Sequence, residues 1–363
     1  MYYIGIMSGT SLDGIDVGLA DFSSSRPTLV CTAYLPYDEY LRNQLLELHQ
    51  SGDDELHRAA MLGNQLSRLY AQSVNSLLKT NGIAPQCIVA IGCHGQTVRH
   101  CPEPEKGYTI QLVNAALLAE LTHITVITDF RSRDIAAGGQ GAPLVPAFHQ
   151  ALFKSTSRHR VIVNIGGISN ITDLEPGKTV IGFDCGPGNL LMDAWCLHHT
   201  GQAYDKNGEW AASGQVIPML LEALFIHPFF SLPPPKSTGR ETFNMQWLKN
   251  HLLDNERPED VQATLLQLTA TAVAQSILNY CPNFEEVYIC GGGARNGALI
   301  SQLTAALFGK EVALTDKLGV DADWVEAYAF AWLAQQTILG LPSNLAAVTG
   351  AQGDRILGAI YRA

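Results

Sequence analysis

Apolar and polar residues alternate, or fall in short apolar runs, at the start of the chain, and move to helical spacing soon after. Tyr2-Tyr3-Ile4-Gly5-Ile6 and the alternating Ile15–Phe22 read as strands, with a third expected near residues 28–35. From Asp54 to Asn81 the residues Leu56, Leu66, Leu69, Tyr70, Val74, Leu77 and Leu78 keep close to helical spacing and predict one long helix. Apolar runs at Ile88–Gly92 and Ile124–Thr128 predict strands around a helix over Asn114–Leu121. Then the opening pattern returns. Val161–Ile165 reads as a strand, Gly166-Gly-Ile-Ser-Asn170 as a small-residue loop, Ile171 onward as a second strand and Val180–Phe183 as a third. Helices are expected up to about His199, near Asp260–Leu278, from Asn296 to Leu307 and over about Asp323–Gln336, with a strand at Glu286–Cys290. The repeated strand–loop–strand unit suggests duplication. A chain of 363 residues is long for one core, so two domains are expected. The breaker Ala136–Pro143 marks the crossover. The expected domains are residues 1–135 and 136–344, with a tail at about 345–363 packing back on the first.

The loops carry the candidate chemistry. Between the first two strands, Gly9-Thr10-Ser11-Leu12-Asp13-Gly14-Ile15-Asp16 has little side-chain bulk, so its backbone N–H groups can converge on an anion. Thr10 and Ser11 add hydroxyls, and Asp13 or Asp16 could face a hydrated metal ion. The bland alternative is an ordinary glycine-rich turn. Gly166-Gly167 is a second such loop. Gly291-Gly292-Gly293, between a strand and a helix, is a third. The triple glycine lacks G-x-G-x-x-G spacing, and no G-x-x-x-x-G-K-[ST] occurs, which argues against a dinucleotide fold and a P-loop. Together the three bends point to a nucleotide held in a cleft between the domains.

Other polar groups sit where apolar runs end. Asp184 follows Val180–Phe183 and precedes Gly186-Pro187-Gly188, a place that suits a general base; a helix N-cap is the alternative. Gln96 and Thr97, after the strand ending at Gly92, suit hydroxyl recognition. His94 reads as a structural histidine. Arg131 and Asp134 could read a carboxylate and a hydroxyl, or pair with each other. Glu326 lies on an otherwise apolar helix and is either exposed or aimed into a site.

Composition narrows the partners. The formal charge of −11 disfavours nucleic acid and anionic membranes, so a polyphosphate would need local backbone dipoles and metal ions. No charged start with an apolar h-region precedes the first strand, and no uninterrupted apolar run is of membrane-spanning length, so a cytoplasmic protein is expected. Eight cysteines without a C-x-x-C pair fit free thiols in a reducing compartment, with Cys31, Cys87, Cys185 and Cys290 expected inside apolar strands. Cys93, His94, His100 and Cys101 tempt a zinc reading but lack the spacing for it.

The ordered motifs GIMSGTSLDGIDVGL, GCHGQTVRH, TDFRSRDIAAGGQGAPL, NIGGISNIT, GFDCGPGN, YDKNG, PPPKSTGRETFN, CGGGARN and EAYAFAWLA resemble those of the anhydro-N-acetylmuramic acid kinases over essentially the whole chain. These belong to the actin, sugar-kinase and heat-shock-chaperone ATPase superfamily. The resemblance implies an α/β fold of two similar ribonuclease-H-like domains flanking a cleft. It also implies a reaction that uses ATP and Mg²⁺ to convert 1,6-anhydro-N-acetylmuramate to N-acetylmuramate 6-phosphate in cell-wall recycling. By motif, Asp184 would be the base, Gly9 to Asp16 with Gly166 and Gly167 would hold ATP phosphates, and Gly291–Gly293 with Asn296 would flank the adenosine. Gln96, Thr97, Arg131 and Glu326 would contact the sugar. The metal ligands are not fixed beyond the neighbourhood of Asp13 or Asp16, and a homodimer is neither required nor excluded. The rival reading is a nucleotide-switched binding ATPase of the actin or chaperone kind, with no sugar substrate.

Overall fold

The computed structural model describes residues 1–24, 26–103, 105–253 and 255–363. They divide into two units, Met1–Phe148 with Trp324–Ala363, and His149–Asp323.

The first unit is built on strands β1 (Tyr2–Ser8), β2 (Gly14–Asp21), β3 (Thr28–Pro36), β4 (Ile88–Cys101), β5 (Tyr108–Leu112) and β6 (Val126–Thr128). The second has β7 (Arg160–Ile165), β8 (Ile168–Leu174), β9 (Ile181–Pro187), β10 (Glu286–Cys290) and β11 (Glu311–Leu314); β12 (Ala359–Tyr361) returns to the first. The first sheet runs β12-β6-β4-β1-β2-β3, with β5 paired to β4; the second runs β11-β10-β7-β8-β9. In the first, β1–β2 and β2–β3 are antiparallel, and β1–β4 and β4–β6 parallel. In the second, β7–β8 and β8–β9 are antiparallel, and β7–β10 and β10–β11 parallel. The two units therefore share one topology: a three-strand meander, a helical crossover, then two parallel strands.

The crossover helices fill the same place in each unit. Glu55–Thr80 buries Leu62, Leu66, Tyr70, Val74 and Leu77, a stripe at spacings of three and four. That stripe joins the core formed by Ile4 and Ile6 of β1, Val17 and Leu19 of β2, and Ile91 and Cys93 of β4. Each such aliphatic side chain, fully buried, contributes about 1.5–3 kcal/mol. Pro258–Tyr280 is long and apolar enough to cross a bilayer by length and composition, but 78% of that window is buried within the protein. It is a core helix.

The other face of the first sheet is made of glycine. Gly5 is in register with Gly18 on one side and Gly92 on the other, giving a bare row across three strands. The helix Val325–Leu339 lies on that row. A Cβ at Gly5 would overlap the Ala327 carbonyl oxygen, and one at Gly92 would overlap that of Phe330. Ala327, Ala331 and Ala334 are buried, so backbone approaches backbone.

Several expectations change. The helix expected to close the second half belongs by its contacts to the first unit. The division falls within the helix Val145–Phe153 rather than at the Ala136–Pro143 breaker. The tail does return to the first unit, where β12 pairs antiparallel with β6. Strand β4 does not stop at Gly92 but runs on to Cys101, because β5 takes over the pairing where β1 ends. Asp184 lies within β9, not after it. Helices at Glu39–Glu47 and Pro218–Phe225 and strands β5 and β11 are additional. Cys87 is exposed, in a turn before β4, and Cys31 is only half-buried; Cys185 and Cys290 are buried as expected, and none of the eight cysteines is in a disulfide.

Replacing Gly92 with alanine forces the Val325–Leu339 helix off its seat, and should cost about 3 kcal/mol or more in urea unfolding. A Cβ at Gly52 would meet only the end of the Arg58 side chain, at an ordinary 3.5 Å, so Gly52→Ala should stay within about 0.5 kcal/mol of the parent. Equal stabilities for the two variants would show that the close approach is not tight.

Candidate functional site

In the first unit the Gly9–Asp16 link is a tight hairpin end. Leu12, at φ 57°, adopts the left-handed conformation, and its N–H donates to the Gly9 carbonyl at 3.3 Å. Gln96, fully buried on β4, donates from Nε2 to the same carbonyl at 3.1 Å. The structure thus brings Gln96 to the first loop. On the other flank, Asp13 O accepts from Tyr37 N at 2.9 Å and from the Tyr34 hydroxyl at 3.0 Å. Beneath the loop, Ser8 Oγ meets the Tyr70 hydroxyl at 2.9 Å, both buried. Asp13 is exposed, with the Ser11 hydroxyl donating to its Oδ1, and Asp16 is half-buried on β2. An exposed and a half-buried carboxylate at one hairpin fit Mg²⁺, which keeps several waters and takes few protein ligands.

Arg131 is held by a histidine. Its Nε and a second guanidinium nitrogen reach His94 Nε2 at 3.0 and 2.8 Å, and Nη1 donates to the Gly141 carbonyl at 2.7 Å. His94 is buried and packs on the Phe330 ring at a centroid distance of 4.9 Å. Burial holds its pKa well below the usual histidine value, and the Arg131 charge pushes the same way. A neutral imidazole accepting from Arg131 is the consistent state. His94 is therefore structural, as its sequence suggests, and its task is to aim Arg131. Asp134 serves the fold: its carboxylate accepts from Asn344 at 2.6 Å, Thr349 at 2.7 Å and the Gly141 amide at 2.8 Å. Thr97 is half-buried and accepts from Gln111 on β5 at 3.2 Å. Glu326 is half-buried in the first turn of the helix that supplies Phe330.

In the second unit Asp184 is buried on the edge strand β9. The register with β8 slips between Ser169 and Asn170, so Cys185 bulges and re-aims its neighbours. Asp184 Oδ2 accepts from the Thr238 amide at 2.9 Å, and the Asp184 amide donates to the Lys236 carbonyl at 3.1 Å. The N-cap alternative fails, because Asn189 holds that position on the helix Leu190–Thr200. The carbonyls of Gly166 and Gly167 instead accept from the amides of Gly188, Asn189 and Leu190, at 2.8–3.1 Å. The glycine bend 291–293 packs beside them: Gly291 sits at φ 81° against Asn164, and Gly293 against Ile165. Gly166-Gly167, Asn189 and Gly291–Gly293 thus gather at one end of the second sheet. Asn296 Oδ1 is committed to capping the helix Gly297–Ala306 through Leu299 N, at 3.1 Å, which leaves its amide nitrogen for a ligand.

Sequence reasoning missed Asn189, Thr238 and the role of His94. GPGN and PPPKST were visible as motifs, but nothing local tied them to a partner. The tempting Cys93–Cys101 cluster is no metal site: His94 serves Arg131 and His100 bonds Thr109 at 3.1 Å. Among the described residues one group has metal-type ligands in reach of one another, His159, Asp173 and Glu175. It closes on itself, His159 bonding Asp173 and Glu175 pairing with Lys178 at 2.8 Å.

Two units of a single topology define a duplicated α/β protein. A sequence model of the family described as anhydro-N-acetylmuramic acid kinase matches residues 1–363. Relatives carrying that name are 64% identical in Nitrosospira multiformis, over 100% of this chain and 99% of theirs, and 63% identical in Nitrosomonas europaea, over 100% of both. The chain belongs to the anhydro-N-acetylmuramic acid kinase family. Among solved structures, component A of (R)-2-hydroxyglutaryl-CoA dehydratase from Acidaminococcus fermentans aligns with 12% identity over 91% of this chain and 96% of its own, at a TM-score of 0.48.

Two fully buried histidines set an acid limit on stability. His149, bonded to the Thr172 hydroxyl at 2.8 Å, has its pKa lowered by burial to about 3, and that of His94 is also well below normal. The unfolded chain takes up these protons first, so stability is complete above about pH 6.5 and falls as pH drops towards the folded values. His149 alone should cost about 2 kcal/mol by pH 5, and His94 and His100, both lowered by burial and by the Arg131 charge, act in the same direction. Stability in urea unfolding should therefore be lower at pH 5 than at pH 7.5 by about 2 kcal/mol or more; a flat profile would mean these imidazoles are protonated in the fold.

Proposed function

We propose that the chain uses ATP and water to open the 1,6-anhydro ring of 1,6-anhydro-N-acetylmuramate and to phosphorylate O6, giving N-acetylmuramate 6-phosphate and ADP. Family membership supports the kinase and its sugar. The observation that carries the finer reading is the hold on Asp184: a buried carboxylate on a bulged edge strand, with Oδ2 fixed by the Thr238 amide and no cap to serve. Such a group is oriented before the substrate arrives, as a general base must be.

Asp184 takes a proton from the water that adds at C1 of the sugar. The C1–O6 bond breaks, and O6 attacks the γ-phosphorus, with ADP leaving. Gln96, Thr97, Arg131 and Glu326 bind the sugar; the Arg131 guanidinium, aimed by His94, matches a carboxylate such as the lactyl group. Gly9 to Asp16 and Gly166-Gly167 hold the phosphates, and Gly291–Gly293 with Asn296 flank the adenosine. Asp13 and Asp16 would hold Mg²⁺, which neutralises phosphate charge when bound. In a protein of charge −11 that neutralisation has to be local.

Asp184→Asn should preserve ATP binding, read by calorimetry, and lower turnover about 10²–10⁴-fold. Near-normal phosphorylation by that variant would remove Asp184 from the base role. Reaction in ¹⁸O-water should put heavy oxygen at C1 of the 6-phosphorylated product by mass analysis. Label absent from C1 would exclude coupled hydrolysis.

A further inference from the structure

The Pro233–Gly239 stretch, which supplies Thr238, covers the open edge of β9. Strand β9 ends the second sheet, so its outer amides need partners from elsewhere. Residues 236–238 supply them at Asp184, on both the amide and the carboxylate. What holds this segment down is the side chain of Lys236. It is 6% exposed. Its Nζ donates to the Phe229 carbonyl at 3.1 Å and lies 4.6 Å from the Phe229 ring centroid and 5.9 Å from that of Phe183, the residue before Asp184.

A buried ammonium is a costly anchor. A methionine or leucine of similar length would bury without that cost, so packing alone does not account for a lysine here. The charge does have neighbours to act on. Burial pushes the Lys236 pKa down, while Cys185 and Asp184 pull it back up, which places its field at the carboxylate.

We propose that Lys236 is a positioning residue for the phosphoryl-transfer reaction: its ammonium, seated between Phe229 and Phe183, pins residues 236–238 so that the Thr238 amide fixes Asp184. Lys236 acts through Asp184 and touches no substrate. The inference rests on the reading of Asp184 as the base.

The test is steady-state kinetics and thermal melting of the full chain carrying Lys236→Met or Lys236→Gln, each alone and with Asp184→Asn. Lys236→Met keeps the stem and drops the charge. The expected result is kcat lowered about tenfold or more, KM for ATP and for the anhydro-sugar within about threefold, and a melting temperature equal to or above the parent's. In the Asp184→Asn background, Lys236→Met should cause no further loss, because the two act as one unit. A kcat within twofold of the parent overturns the proposal, as does a loss of kcat that tracks a fall in melting temperature in both variants. An active Asp184→Asn enzyme would sink the base assignment itself; an inactive one beside a normal Lys236→Met enzyme would sink this inference alone.

Discussion

The bare glycine row across β2, β1 and β4 is the constraint on which the first unit depends. Gly18, Gly5 and Gly92 leave no side chains between the sheet and the Val325–Leu339 helix. Contact at that range gains dispersion energy and leaves no slack, since either surface can move only by breaking contact along its length. The consequence reaches the sugar-binding candidates. The seated helix brings Phe330 against His94, His94 orients Arg131, and Glu326 stands in the helix's first turn. A carboxylate and a guanidinium are thus placed by one packing event. The other face of the same sheet is an ordinary aliphatic core under the Glu55–Thr80 helix. Stability comes mainly from that face and positional accuracy from the glycine face.

Much of this was legible in the chain, and the misses have physical causes. Short apolar or alternating runs gave β1, β2, β7 and β8 because one or both sides of these strands are buried. The duplication was readable because a glycine loop between two such runs occurs twice. Strand β4 was cut short since Gly-Cys-His-Gly-Gln-Thr looks like the end of an apolar run; the alternation in Tyr108–Leu112 was the available clue that a partner strand would prolong it. The Val325–Leu339 helix was assigned to the second half by adjacency. It is apolar nearly all round, so its own pattern named no partner; the matching signal lay in three glycines far away in sequence. Thr238 reaches Asp184 across 54 residues, a distance no local pattern spans.

Both loop systems share a device that aims backbone amides. A trans peptide points its C=O and the next residue's N–H in opposite directions. Gln96 and Leu12 capture the Gly9 carbonyl, which turns the Thr10 amide away from β4. Asn189 captures the Gly166 carbonyl, which turns the Gly167 amide away from the Leu190–Thr200 helix. In each unit a donor on the scaffold takes up a loop carbonyl and so aims the amide after it. Amides aimed in this way are what an anion site without a lysine or arginine in the loop would require.

The same logic separates the two carboxylates of the motif-rich segments. Asp134 is saturated by Asn344, Thr349 and the Gly141 amide, from two distant parts of the first unit. Removal of a carboxylate so enclosed would leave several buried donors unpaired. Asp184 Oδ2 is held by the Thr238 amide, from a loop whose anchor is a lysine in an aromatic seat. Chemistry requires a carboxylate that is fixed yet still able to accept a proton. Donors from segments distant in the chain tie Asp134 into the fold, while the Thr238 hold on Asp184 comes from the loop along its own strand edge.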